Sequence, residues 1–459
     1  MNILFAVGEA WPFMKTGGLG DVAYSLPKKL KEMGNDIRVI MPKYSQIAKE
    51  HRDEMEHLGE KYIWVAHHNE YVGIDSYELD GVTYYFVDGE RYFFRGNSYG
   101  ELDDCERFAF FCKAVVETFD ITGFHPEIIH CNDWHTGLIP IYARERGYDG
   151  IRTVFTIHNL RFQGLFYNDN MERVLELPRW VYYNEDGLKY YDMLSFLKGG
   201  VVYSDLVTTV SESYAQEIKT PWMGEGLHGL FNKFDYKLHG IVNGIDVESY
   251  KFPRKGKTRA KTELQESLGL MEDPSVPLVA MITRLDRQKG IDLVIEIFDE
   301  MMQTTEAQFI MLGNGEPYYE DFFRIKERQY PKRVCSYIKF NSDVAKDIYY
   351  GSDIFLMPSV FEPCGLSQMI AMRYGTIPVV RETGGLTDTV TPYNEYTRLG
   401  DGFGFKNVNS QELLWCLKYA LNIYSDSNKW HEIMKSAKAR DNTWDKSAEK
   451  YLELYNSIL

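Results

Sequence analysis

The apolar positions of this chain fall into short continuous runs separated by stretches with helical spacing, and that alternation predicts a sheet flanked by helices. A first strand over residues 2–7 is followed by a loop through Gly20 and then by DVAYSLPKKLKEMG, whose apolar spacing is helical. DIRVIMPKY reads as the next strand, so the chain opens strand, loop, helix, strand. The runs EIIHCND, RTVFTIHNL and DLVTTVS continue the series between helical or irregular stretches. This order favours a mostly parallel, doubly wound α/β sheet. YVGIDSYELDGVTYYFVDG has the pattern of a strand pair and is expected to be an insertion beside that sheet.

From about Asn243 the pattern changes. NGIDVESYKFPRKGKTRAKTELQESLG carries Gly, Pro and charge, and a second alternating series follows it. That series runs through PLVAMITR, the helical GIDLVIEIFDEMM, AQFIMLG, a helix from Pro317, VCSYIKF, the helical VAKDIYYG, DIFLMPS, the helical LSQMIAMRYG and TIPVVRE. The expected domains are therefore residues 1–245 and 246–443. The last segment, KSAEKYLELYNSIL, is an amphipathic helix expected to cross back, over about 444–459, onto the first domain.

Length and charge narrow the function. A chain of 459 residues exceeds one ordinary core and fits two domains. The net charge of −16 argues against non-specific attraction to nucleic acid or anionic membranes, so an anionic ligand must meet a local positive pocket. The chain has no basic-then-apolar start and no apolar run long enough to span a bilayer, and a soluble, cytoplasmic protein is expected. The six cysteines are scattered without zinc-ligand spacing and are expected to be reduced and buried.

In open α/β sheets ligands sit beyond the carboxyl ends of the strands. The loop after the first strand, GEAWPF, lacks the G-x-G-x-x-G of dinucleotide binding. GKT at 256–258 resembles the end of a phosphate-binding loop, but Lys251 stands where its first glycine belongs and no strand precedes it. No D-x-D triplet suggests a metal-clamped sugar nucleotide, and neither metal nor cofactor is expected. One short motif, T-G-G-L-x-D, occurs twice: Thr16, Gly17, Gly18, Leu19 and Asp21, preceded by Lys15, and Thr383, Gly384, Gly385, Leu386 and Asp388. Paired glycines let a backbone approach a ligand, and a helix start offers N–H donors, so each copy can hold a phosphate oxygen. A tight turn into a helix is the plainer explanation of either copy alone. Arg284 and Lys289 follow a strand of the second series and form a two-pronged cation for a diphosphate. Glu362 stands ahead of a Gly365-Leu366 helix start, where a carboxylate can bind sugar hydroxyls.

KTGGLGDV, CNDWHTGL, FTIHNLRFQG, NGID, TRLDRQKG, FEPCGLSQ and TGGLTD occur in the order found in bacterial glycogen synthases and plant starch synthases, glycosyltransferase family 5, which the chain resembles from Met1 to about Trp444. The resemblance implies a GT-B architecture, two Rossmann-like doubly wound domains facing a central cleft. It implies ADP-glucose as donor, the non-reducing end of an α-1,4-glucan (glycogen, starch or a maltooligosaccharide) as acceptor, and transfer with retention of configuration and without metal. Lys15, Gly17, Gly18 and Asp21 then fall on the donor's side, and Asp133, His158, Asn159 and Asn243 where the family lines its glucose and acceptor pockets. Asn243 is assigned to the donor and His158 to catalysis, through its backbone carbonyl near the anomeric carbon. Arg284 and Lys289 match the diphosphate clamp, and Glu362, Cys364, Gly365 and Leu366 the glucose-holding loop. Thr383 and Gly384 border the nucleotide.

Two departures stand out. The adenine-stacking aromatic falls on Phe340 rather than a tyrosine, which keeps stacking and loses a hydroxyl. Ile370 occupies the second acidic position of the E-x7-E motif of many retaining relatives, an acid this family generally lacks. Two other functions remain open: the same fold using UDP-glucose or another nucleotide sugar, and a catalytically silent glucan-binding protein.

Overall fold

The computed structural model describes residues 1–339 and 341–459, which divide into two compact units. The first comprises Met1–Asn243 with Trp444–Leu459, the second Gly244–Thr443.

The strands of the first unit are, in chain order, β1 (Asn2–Ala6), β2 (Asp36–Pro42), β3 (Glu56–Val65), β4 (His68–Leu79), β5 (Val82–Asp88), β6 (Ile128–Asn132), β7 (Arg152–Ile157), β8 (Leu165–Tyr167), β9 (Lys189–Tyr190), β10 (Met193–Ser195), β11 (Leu206–Thr209) and β12 (Leu238–Gly240). Nine form one sheet in the order β12-β11-β7-β6-β1-β2-β5-β4-β3, and β8, β10 and β9 form a small antiparallel sheet. From β12 to β5 every pairing is parallel. These strands are covered on both faces, which is why Ile3, Leu4, Phe5 and Ala6 are all buried and the sequence shows continuous apolar runs.

The expected insertion beside the sheet is instead part of it. β5 pairs in parallel with β2, and β4 and β3 extend the edge in antiparallel fashion. Tyr84, Tyr85, Phe86 and Val87 are consecutive and buried, the signature of an interior strand. β3 went unforeseen because it is an edge strand with one wet face, where Glu60, Tyr62 and Trp64 alternate outward.

The C-terminal helix, Asp445–Ile458, packs on the first unit. Asp445 pairs with Lys29 on the first helix, Gly18–Glu32, and Lys450 lies 2.6 Å from Glu212. Tyr451 and Tyr455 are buried, and the Tyr455 hydroxyl sits 2.7 Å from Nδ1 of His130 on β6. His130 Nε2 continues at 2.6 Å to the Thr156 hydroxyl on β7, and Thr156 at 2.5 Å to Thr208 on β11. This chain of buried polar groups is satisfied throughout, so it specifies the docking without leaving an orphaned donor.

The second unit holds β13 (Leu278–Ile282), β14 (Gln308–Leu312), β15 (Val334–Tyr337), β16 (Ile354–Met357), β17 (Ile377–Arg381) and β18 (Phe403–Phe405), all parallel in the order β15-β14-β13-β16-β17-β18. Below the sheet the buried Lys261 ammonium meets the Asp353 carboxylate at 2.6 Å and the carbonyls of Pro274 and Val276 at 2.9 and 2.5 Å. A buried charge is tolerable only when paired and hydrogen-bonded in this way. All six cysteines are buried and free of disulfides. No helix among the described residues is long and apolar enough to cross a membrane.

In each large sheet the strand order turns at the first strand of its unit, and that of the first unit turns again at β5, where its antiparallel edge begins. In the first unit β1 has β2 on one side and β6 on the other; in the second, β13 lies between β14 and β16. The crevices beyond the carboxyl ends of β1 and β6, and of β13 and β16, are the places where such sheets bind ligands.

Candidate active site

At the switch point of the first unit, β1 runs into Gly8 and Glu9. Glu9 is buried, and its carboxylate faces the loop that starts the first helix. Oε2 accepts the Thr16 backbone N–H at 3.0 Å and the Thr16 hydroxyl, while Oε1 accepts the N–H groups of Gly17 and Gly20, each at 3.1 Å. Gly17 is the N-cap and the helix begins at Gly18, so an internal carboxylate complements the positive end of the helix. The Tyr99 hydroxyl adds a contact to Glu9 at 3.2 Å, and the Tyr99 ring packs on His135 with centroids 4.5 Å apart. The loop carrying Tyr99 is held from beneath by fully buried Arg107, which donates to the carbonyls of Tyr92 and Asn97 and pairs with Asp104 at 2.6 Å. Lys15 does not stand alone: its ammonium meets the Asp21 carboxylate at 2.7 Å, one helical turn into the helix.

Beyond β6 and β7 lie Asp133 and His158. Asp133 has φ 58° and ψ 178°, a conformation other residues avoid, and strain of this kind collects at functional sites. Its Oδ1 accepts the backbone N–H of His158 at 2.7 Å. Burial pushes the Asp133 carboxyl up to about 7, against the pull of the backbone N–H groups of His158 and Asn159. Burial pushes the His158 imidazole down to about 3, and it is neutral at physiological pH. Asn159 turns its Oδ1 to the Arg161 N–H at 3.1 Å. Asn243 ends the unit buried, with no hydrogen-bond partner for Oδ1 among the described residues.

These shifts set an acid limit on stability. His130 and His135 are buried and also held down to about 3 by desolvation. The unfolded chain protonates them near 6.5 and the folded chain does not, so each costs up to about 1.4 kcal/mol per pH unit as pH falls from 6.5 toward 3. Asp133, raised to about 7, acts in the opposite sense, because the folded state keeps a proton that the unfolded chain has lost above about 3.8. With His158, three histidines against one carboxyl make the stability fall from pH 6.5 to 5. His135→Phe, at a ring whose two nitrogens lack partners among the described residues, should flatten that fall in pH-dependent thermal unfolding, and an unchanged slope would contradict it.

At the switch point of the second unit, residues 283–290 and 358–365 are stitched together. Val360 donates its N–H to the Gln288 carbonyl at 2.8 Å, and Gly290, at φ 70°, lies so close that a Cβ there would fall 2.0 Å from the Pro358 carbonyl oxygen. The outcome is a partly buried ion pair: Lys289 Nζ lies 2.6 Å from Oε2 of the buried Glu362, which also accepts the Ser359 hydroxyl at 3.1 Å. Arg284 stands at the same strand end, more than half exposed, with Asp286 3.6 Å away. Cys364 is buried, Gly365 takes φ 74°, and Leu366 is the N-cap of the helix Ser367–Arg373. Gln368 fixes this turn through the carbonyls of Cys364 and Gly365 at 3.1 and 2.9 Å.

The second T-G-G-L also opens a helix, Gly385–Thr389, with Gly384 as N-cap at φ 46°. The Gly385 N–H donates to the Glu362 and Pro363 carbonyls at 3.0 and 3.1 Å, and a Cβ on Gly384 would fall 2.1 Å from the Glu362 carbonyl oxygen. This glycine pair therefore seats the Glu362 loop. Arg381 joins it by donating to the carbonyls of Ser359, at 2.8 Å, and Val360.

The structure thus brings together Lys15 with Asp21, Asp133 with His158, and Lys289 with Glu362. Phe340 lies outside the described residues. Sequence reasoning missed Glu9 and Tyr99, although Glu9 stands in the loop after the first strand.

Residues 2–233 match the family model of the starch synthase catalytic domain, and residues 261–438 that of group 1 glycosyl transferases. The chain is 64% identical to the glycogen synthase of Fusobacterium nucleatum subsp. nucleatum and 47% identical to that of Caldicellulosiruptor saccharolyticus, with 100% of each chain covered in both cases. Among solved structures it is similar to the catalytic domain of starch synthase IV from Arabidopsis thaliana bound to ADP and acarbose, with a TM-score of 0.92, 33% identity and 99% of each chain covered. The two Rossmann-like units are those of a GT-B glycosyltransferase, and the chain belongs to the glycogen and starch synthase family. It is a glucosyltransferase of glycogen or starch synthesis.

Proposed function

We propose that the enzyme transfers glucose from ADP-glucose to the 4-hydroxyl at the non-reducing end of an α-1,4-glucan, with retention of configuration. The observation that carries this reading is the Lys289–Glu362 pair at the switch point of the second unit, beside Arg284. Arg284 and Lys289 stabilise the charge that grows on the diphosphate as the bond from glucose C1 to the phosphate oxygen breaks. Glu362 anchors Lys289 through Oε2 and offers Oε1 to a sugar hydroxyl. In the first unit Lys15 and the glycines after it serve the donor, Asp133 and Asn159 line the glucose and acceptor pocket, and His158 fixes the glucose. The acceptor hydroxyl attacks the oxocarbenium-like C1 on the face that ADP leaves, and the departing phosphate takes its proton. ADP as the nucleotide finds support in the relative from Arabidopsis thaliana, whose structure holds ADP and acarbose.

The test is a donor screen with a short maltooligosaccharide. ADP-glucose should exceed UDP-glucose in kcat/KM, and equal use of both would refute the assignment of the base. The rate should persist in excess EDTA, since two side-chain cations take the charge-stabilising role. Complete loss restored by Mg²⁺ or Mn²⁺ would contradict that role.

A further inference from the structure

Asn132 is the last residue of β6 and is fully buried beside the strained Asp133. One end of its side-chain amide lies 3.1 Å from the carbonyl oxygen of Ala6 on β1 and 3.2 Å from that of His130. Carbonyl oxygens only accept, so this end is the NH₂ group. The other end is therefore the oxygen, and it lies 2.9 Å from Nε2 of His158. An amide oxygen only accepts as well, so Nε2 carries the proton, and in a neutral imidazole Nδ1 is then the bare acceptor. No hydrogen bond to Nδ1 forms among the described residues. The backbone of His158 is fixed separately, through its N–H to Asp133. The two neighbours divide the work: Asp133 holds the main chain and Asn132 holds the ring.

We propose that Asn132 is a positioning residue of the transferase, locking His158 in the Nε2–H tautomer so that Nδ1 accepts a hydrogen bond from a hydroxyl of the donor glucose. The proposal rests on the reading that His158 contacts that glucose. Its specificity comes from the two carbonyls: they fix which way the amide faces, and an amide facing the other way would present NH₂ to the ring and select the opposite tautomer. The same side chain ties β6 to β1, so the ring is referenced to the strands on both sides of the switch point. A partner that fixes the tautomer of a functional histidine raises the precision of its contact without touching the substrate.

The experiment uses the full-length enzyme labelled with ¹⁵N-histidine. Long-range ¹H–¹⁵N spectra at pH 7.5 report the tautomer of each ring, and His158 is assigned by the signals lost in His158→Gln. The wild type should show His158 protonated on Nε2; protonation on Nδ1, or an imidazolium, overturns the proposal whatever the variants do. Asn132→Leu removes both ends of the amide and should give mixed tautomers with kcat at least tenfold lower. Asn132→Asp keeps an acceptor toward Nε2 and should retain the tautomer and lie between wild type and Asn132→Leu in kcat. In both variants KM for the acceptor should stay within about twofold. Should Asn132→Leu fold, lose the tautomer and keep its kcat, positioning by Asn132 is wrong while the role of His158 stands. If His158→Gln is itself fully active, the contact with glucose is wrong and the proposal falls with it.

Discussion

Lys289→Ala is expected to lower kcat/KM for the sugar nucleotide at least a hundredfold while the far-ultraviolet circular dichroism stays that of the wild type. A charge-assisted hydrogen bond contributes about 1.5 to 3 kcal/mol, and a cation aimed at charge that develops in the transition state contributes at the upper end of that range. The ion pair with Glu362 complicates the variant in an informative way. Glu362 is buried, so removing Lys289 strands a carboxylate, a change that typically costs about 3 to 5 kcal/mol of stability. The double variant Lys289→Met/Glu362→Gln removes both charges and should recover most of the melting temperature without recovering activity. Turnover near the wild-type rate in a folded Lys289→Ala protein would eliminate the diphosphate clamp.

Glu9→Ala should have the second large effect, again a hundredfold or more in kcat/KM for the sugar nucleotide. Its carboxylate accepts three backbone N–H groups and a hydroxyl from residues 16–20, and alanine leaves all four without that partner. Losing even one or two net contacts to a charged acceptor accounts for about 2.7 kcal/mol, the hundredfold expected. Lys15 and Gly17 would lose their fixed position together, so the loss should appear mainly in donor KM. Glu9→Gln keeps one acceptor oxygen but turns an NH₂ toward N–H donors, and it should fall between. Hydrogen exchange at the Gly17 and Gly20 amides supplies the independent readout: fast exchange in Glu9→Ala and slow in the wild type. A fully active Glu9→Ala enzyme would show that the carboxylate only packs.

The alternation of strands and helices was legible because parallel strands covered on both faces must be continuously apolar, as Ile3 to Ala6 and Phe309 to Leu312 are. The second series was the clearer because helices such as Ile291–Thr304 carry an apolar stripe along one face between those runs. β3 was not legible, since an edge strand with one wet face reads as polar. Residues next to strand ends, such as Lys289 and Glu362, could be named from their place after an apolar run. Their pairing could not, because it depends on β13 and β16 being neighbours in the sheet, and strands so far apart in the chain leave no mark of their pairing on the local pattern. Glu9 was passed over for a similar reason: its partners form a loop that closes back on the strand end, and nothing in the spacing of apolar residues marks that closure. The twin T-G-G-L motifs look alike in sequence, but their surroundings in the structure differ. Both begin helices, but the first receives an internal carboxylate and the second seats the loop of Glu362.

The central claim is tested most directly by following the reaction of ADP-glucose with maltotetraose by proton nuclear magnetic resonance and by assay of released ADP. Each turnover should release one ADP and add one glucose to the non-reducing end, with the new anomeric proton showing the coupling of an α-1,4 linkage. A β linkage, or release of ADP and free glucose without chain extension, would contradict it.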